Sequence, residues 1–90
     1  MSKIKIEVSD RTDVDFFKFI LDGIPLTMNG TSRQIEVPAG DHTLTLLMSG
    51  EAGGTMKVVI SQDGKELVSR TVEIPPGEHG TYDRYAVVVA

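Results

Sequence analysis

Ninety residues (9.8 kDa) with 40% apolar side chains are enough for one compact core and leave no room for a second domain. Nine basic residues stand against thirteen acidic ones, a net charge of −4, and neither half of the chain is a basic arm or an acidic tail. A polyanion needs clustered positive charge, so nucleic acid is not an expected partner; the absence of cysteine excludes disulfides, thiolate metal sites and cysteine nucleophiles.

Apolar residues recur with period two almost throughout, and no stretch carries the stripe of an amphipathic helix, which predicts an all-β chain. Lys3 to Val8 alternates, with Ile4, Ile6 and Val8 on one face and Lys3, Lys5 and Glu7 on the other, as in a half-buried strand. Arg11 to Asp15 is predicted to turn the chain. Phe16 to Leu21 is apolar on both faces, interrupted only by Lys18, which marks a central strand or a contact surface. Asp22-Gly23 supplies the positive φ angles of a tight turn, and Ile24 to Leu26 reads as an edge strand because Pro25 lacks a ladder donor. Asn29-Gly30 marks another turn. Arg33 to Val37 is a short strand closed by Pro38-Ala39-Gly40-Asp41, after which Thr43 to Met48 places Leu44, Leu46 and Met48 on one face.

Gly50 to Gly54, with three glycines in five residues, is predicted to be a flexible loop. Met56 to Ser61 and Glu66 to Ile74 flank Gln62-Asp63-Gly64-Lys65, whose Asp-Gly suits a type I′ hairpin turn. Pro75 to Asp83 reads as the longest polar connection. Tyr85 to Ala90, with Val87, Val88 and Val89 apolar on both faces, reads as an interior strand. Seven or eight short strands predict an immunoglobulin-like two-layer antiparallel β-sandwich, with a small β-barrel as the rival. Without a cysteine pair or tryptophan it is not an antibody-type domain.

The stretch Phe19-Ile20-Leu21-Asp22-Gly23-Ile24-Pro25-Leu26, followed by Ile35-Glu36-Val37-Pro38-Ala39-Gly40-Asp41-His42-Thr43-Leu44-Thr45-Leu46, resembles the PEGA-type family of small β-sandwich modules. The likeness covers residues 16–48. It departs from the family's pattern after Gly50, where Glu51 stands in place of an aromatic residue. The resemblance implies an accessory module of the kind often attached to surface or envelope proteins, which binds and carries no catalytic residues.

Asp10, Asp13 and Asp15 share one loop in this reading, and carboxylates so close repel unless a cation or solvent screens them. That makes them candidate calcium ligands, although the spacing matches no EF-hand. His42 and His79 each follow an acidic residue, and Ser32, Ser61 and Ser69 sit in no nucleophile frame, so both histidines read as surface turn residues and no catalysis is expected. Gly50-Glu51-Ala52-Gly53-Gly54 is no phosphate loop, because neither Gly-Lys-Ser/Thr nor a helix follows. Among the aromatics, Tyr82 is the one candidate platform for a sugar ring.

Phe16 and Ile20 must point away from the face that holds Phe17 and Phe19, so either a crossing loop or a partner covers them. The same holds for Val88. Phe16, Ile20, Tyr82 and Val88 are therefore the candidate partner-binding residues, for a protein partner or a second copy. The expected function is a non-catalytic interaction module without cofactor; a subunit of a virion or other large assembly, and a carbohydrate- or calcium-binding accessory domain, are the alternatives. No run of about 18 apolar residues predicts membrane insertion. No signal-peptide core opens the chain, yet a trimmed signal or an excised domain would read the same, so localisation stays open.

Overall fold

The computed structural model describes residues 2–90. They form six strands and no helix: β1 (Ser2–Leu21), β2 (Ile24–Leu26), β3 (Ser32–Val37), β4 (Gly40–Gln62), β5 (Lys65–Glu73) and β6 (Gly80–Val89). No helix therefore is long and apolar enough to cross a membrane. All pairings are antiparallel and belong to one sheet.

Two long strands organise it. β1 and β4 run beside each other from Ile4↔Gln62 to Leu21↔Leu44. The other edge of β1 carries β3 along Ser2–Glu7 and β2 along Phe19–Leu21, while the other edge of β4 carries β6 along Gly40–Ser49 and β5 along Thr55–Gln62. The sheet thus has a β5 half (β3, β1, β4, β5) and a β6 half (β2, β1, β4, β6). At roughly 3.4 Å per residue, the 23 residues of β4 would reach roughly 78 Å if straight. The longest dimension of the molecule is 41 Å, so the strand doubles back. Its two ends meet through the last residue: Gln62 Nε2 donates to the Ala90 carbonyl at 3.0 Å, Ala90 N–H donates to Gln62 Oε1 at 3.1 Å, and Ser2 Oγ donates to the same Ala90 carbonyl at 3.0 Å.

The fold-over is built from bulges. The β1–β4 register shifts three times between Ser9 and Phe16, and Asp10 (φ 51°) and Asp13 (φ 57°) take the left-handed conformation that aspartate tolerates. From Ser9↔Lys57 to Phe16↔Ser49, β1 advances 16 − 9 = 7 residues while β4 advances 57 − 49 = 8. That odd difference switches which residues of β1 face inward. Ile4, Ile6 and Val8 are buried before the bend and Phe19 and Leu21 after it, whereas β4 keeps Leu44, Leu46, Met48, Met56, Val58 and Ile60 inside along its whole length. With Tyr85, Val87 and Val89 they make one cluster inside the folded sheet.

Several expectations are corrected here. Arg11 to Asp15 is the bulged part of β1 and Gly50 to Gly54 the bent part of β4, so four predicted short strands merge into two long ones and the total is six, not seven or eight. The polar connection ends at His79, which puts Tyr82 in β6. β6 is an edge strand, not an interior one, because β4 is its sole strand partner. The sheet stays open, with β2 and β3 along one side and β5 and β6 along the other, so no barrel closes. The Asp63-Gly64 hairpin forms as expected, both residues at positive φ, and β2 with Pro25 is an edge.

Candidate functional site

In the β6 half, alternation turns Phe16, Lys18 and Ile20 of β1, Thr43, Thr45 and Leu47 of β4, and Tyr82, Arg84, Ala86 and Val88 of β6 to the outer face, opposite to the buried Phe19, Leu46 and Tyr85. The register sets Leu47 between Lys18 and Tyr82, with Phe16 and Ile20 one step away along β1. Phe16 (55% exposed), Leu47 (40%) and Tyr82 (66%) lie open to solvent, and Ile20 is half-buried among them. Val88 (63%) shares the face but lies six residues along β6 from Tyr82, paired with Asp41. Of the two loops that could have crossed Phe16, residues 50–54 are part of β4 and residues 75–83 run into β6 from Gly80, and Phe16 stays more than half exposed among the described residues.

Sequence reasoning identified Phe16, Ile20, Tyr82 and Val88 and missed Leu47, the residue that joins the first three. Its signal was present: with Leu44, Leu46 and Met48 turned inward, Leu47 has to turn outward. The outer face of the β5 half is different in character. Lys3, Lys5, Glu7, Gln34, Ser61 and Glu66 line a shallow depression there together with Val59, and Lys5 Nζ meets Glu7 Oε1 at 3.6 Å.

The three aspartates do not come together as ligands. Asp10, Asp13 and Asp15 are all exposed at the bend, and among the described residues no three His, Cys, Asp or Glu side chains converge on a metal-sized space. Their neighbour Arg11 stands over the Phe17 ring at 5.6 Å, shielding a partly buried aromatic by a cation–π contact.

His42 belongs to β4, and its side chain is only 8% exposed, unlike that of a surface turn residue. Its Nδ1–H donates to Asp22 Oδ2 at 2.6 Å and its Nε2–H to the Pro38 carbonyl at 2.7 Å. Asp22 Oδ1 accepts the Thr43 N–H at 2.8 Å, and Asp22 N–H donates to the Thr43 carbonyl at 2.9 Å. This clasp ties the β1–β2 turn to the start of β4. A carbonyl and a carboxylate only accept, so both bonds are complete only when the ring is protonated. The bond to Asp22, and then that to Pro38, hold the His42 pKa above 6.5, while the bond from His42, and then that from Thr43, hold Asp22 below 3.8. With both nitrogens engaged, His42 has none left to activate a nucleophile.

The sign of the pH dependence follows. A raised histidine pKa contributes stability that is complete below the unfolded value near 6.5 and is lost as pH rises through the folded value; a depressed aspartate contributes stability that is lost as pH falls through its own folded value. Thermal melts should therefore show a downward slope in Tm above pH 6.5 that is absent from His42→Ala. Parallel curves for the two proteins would show that the clasp contributes nothing to folding.

Tyr85 is buried facing the core of the folded sheet, and its hydroxyl has no hydrogen-bond partner among the described residues. Burial, and after it the neighbouring Asp83 carboxylate, push its pKa upward, so it stays neutral. Comparison with protein-family models, with curated proteins and with solved structures finds no match.

Proposed function

We propose that the chain is a non-catalytic interaction module of the small β-sandwich kind, and that it contacts a protein partner through the outer face centred on Leu47. In this reading the β5 and β6 halves act as the two layers of an immunoglobulin-like sandwich, made by bending one sheet. The observation that carries the proposal is the asymmetry of the two outer faces. One gathers Phe16, Ile20, Leu47 and Tyr82 around Lys18, with Arg84 beside Tyr82, and the other is lined by lysine, glutamate, glutamine and serine around a half-buried Val59. Large apolar side chains adjoining on an outer face lower the free energy only when something covers them, whereas scattered single ones need no explanation.

A relation to the PEGA-type modules belongs to the same proposal. Asp22 of the Asp-Gly turn and Pro38 and His42 of the second turn are joined in the clasp, which gives a physical reason for those residues to occur together.

The test is site-directed photocrosslinking in cells that make the native protein. A benzophenone side chain in place of Leu47 should yield a discrete protein adduct, and one in place of Val59, on the β5 half's outer face, should not. Equal labelling from both positions, or none from either, would remove the reading.

A further inference from the structure

The four free edges of the sheet differ in how well they are protected from pairing with another chain. β2 has three residues and a proline. β3 pairs Arg33 with the buried Ile6, so that a charged side chain lies on the inner side of its edge, and β5 does the same with Arg70 opposite Val58 and adds a register shift between Ile60 and Ser61. β6 is the longest, ten residues with no proline, lysine or bulge, and carries one inward charge, Asp83.

Half of the backbone groups of β6 point away from β4. Thr43 directs both its N–H and its C=O to Asp22, towards β1. Alternate residues point opposite ways, so Leu44 and Leu46 direct theirs to their β6 partners Tyr85 and Asp83. Tyr82, Arg84, Ala86 and Val88 then turn their backbone groups to the open edge. The Arg84 N–H fits this, since it has no strand partner and takes the Asp83 carboxylate at 2.9 Å instead.

We infer that β6 pairs antiparallel with β6 of a second copy of this chain, about a two-fold axis at Tyr85. A two-fold pairing of one strand with itself sets residues i and j opposite each other with i + j constant. Continuity of the outer face requires that sum to be even. Centring on Tyr85 makes it 170, so Tyr82 faces Val88 of the second copy and Arg84 faces Ala86, each twice. Tyr82 and Val88, exposed and six residues apart within one chain, become cross-strand neighbours as an aromatic and a β-branched residue, a favourable pair. The neighbouring register, centred on Arg84, sets two arginines directly opposite each other and leaves Val88 facing Gly80, a pairing disfavoured on both counts. In the chosen register all four outward residues of each copy fall on hydrogen-bonded pairs, which exchange both N–H and C=O. The β6 halves become one eight-stranded sheet, with a Leu47-centred patch on either side of the axis. Asp83 opposes this association, because its carboxylate must release the Arg84 N–H before the strands join.

The inference goes beyond the partner contact and rests on the backbone edge of β6, which shares only Tyr82 with the Leu47-centred face. Sedimentation equilibrium should show a monomer passing to a dimer of twice 9.8 kDa as concentration rises. Val88→Lys should remain monomeric with unchanged circular dichroism, and Asp83→Thr should tighten the dimer by tenfold or more. The chain contains no cysteine, so Ala86→Cys with a short bismaleimide linker should give a covalent dimer, and Ile24→Cys on the far β2 edge should not. A wild type that stays monomeric to its solubility limit, or a Val88→Lys dimer as tight as the wild type, overturns the inference. Val88→Lys should leave the photocrosslink from position 47 intact, and Leu47→Ser should leave the dimer intact, so the two surfaces fail separately.

Discussion

Gly50→Ala is expected to remove more than about 3 kcal/mol of folding free energy, a loss of roughly 12–24 °C in Tm for a domain of this size. The reason lies at the bend. The Asp13 carbonyl is wedged between Gly50 and Gly54. A Cβ on Gly50 would fall inside the radius of that oxygen and 2.9 Å from Val14 Cα, and one on Gly54 would stand 2.6 Å from the same oxygen and 3.0 Å from the Glu51 carbonyl. These neighbours are backbone, so none can swing aside as a flexible side chain would. Relief means parting β1 from β4 where the sheet folds over, which disturbs the register that turns Phe19 inward and Phe16 outward.

Gly53 supplies the control, because it meets nothing and is glycine for another reason, its φ of +84°. Gly53→Ala should cost only about 1 kcal/mol, the ordinary penalty for a side chain in the left-handed region. Urea denaturation of the two variants measures the difference directly, provided the m-values match. Equal midpoints for Gly50→Ala and the wild type would mean that the strands do not close on each other at the bend.

The same segment shows why part of the fold could be read from sequence and part could not. Alternation located Lys3–Val8, Thr43–Met48 and Met56–Ser61, and the Asp-Gly dipeptide located the hairpin at Asp63-Gly64, because both signals are local. At Asp10, Asp13 and Gly53 the residues that suit a turn are the ones that suit a bulge or a bend, since each needs positive φ. What distinguishes a bent strand from two strands and a loop is pairing across the chain, Thr12 with Thr55 and Val14 with Gly50. That information is not local. The edge position of β6 was hidden for a related reason: Val87, Val88 and Val89 look alike in sequence, while only the odd-numbered two are buried. The candidate face fared better, because Phe16 and Ile20 follow from alternation within one strand. Leu47 obeys the same rule, and its place at the centre depends on how β4 aligns with both neighbours.

Phe19→Ala should cost about 3–5 kcal/mol, as expected for a large aromatic removed from a closed core. Phe19 is fully buried and meets Phe17 edge-to-face with ring centroids 6.2 Å apart, so truncation opens a cavity and removes an aromatic contact together. Phe16, three residues earlier and more than half exposed, should behave in the opposite way. Phe16→Ser should change stability by no more than about 0.5 kcal/mol, because the side chain buries little within the chain. If the outer face is a contact surface, that same substitution should weaken the adduct formed from position 47. Two phenylalanines in one strand then divide folding and binding between them, and chemical denaturation beside crosslinking yield reads the two separately. A large loss of stability in Phe16→Ser would show that its ring packs against the chain's own core, and the face would lose its claim to a partner.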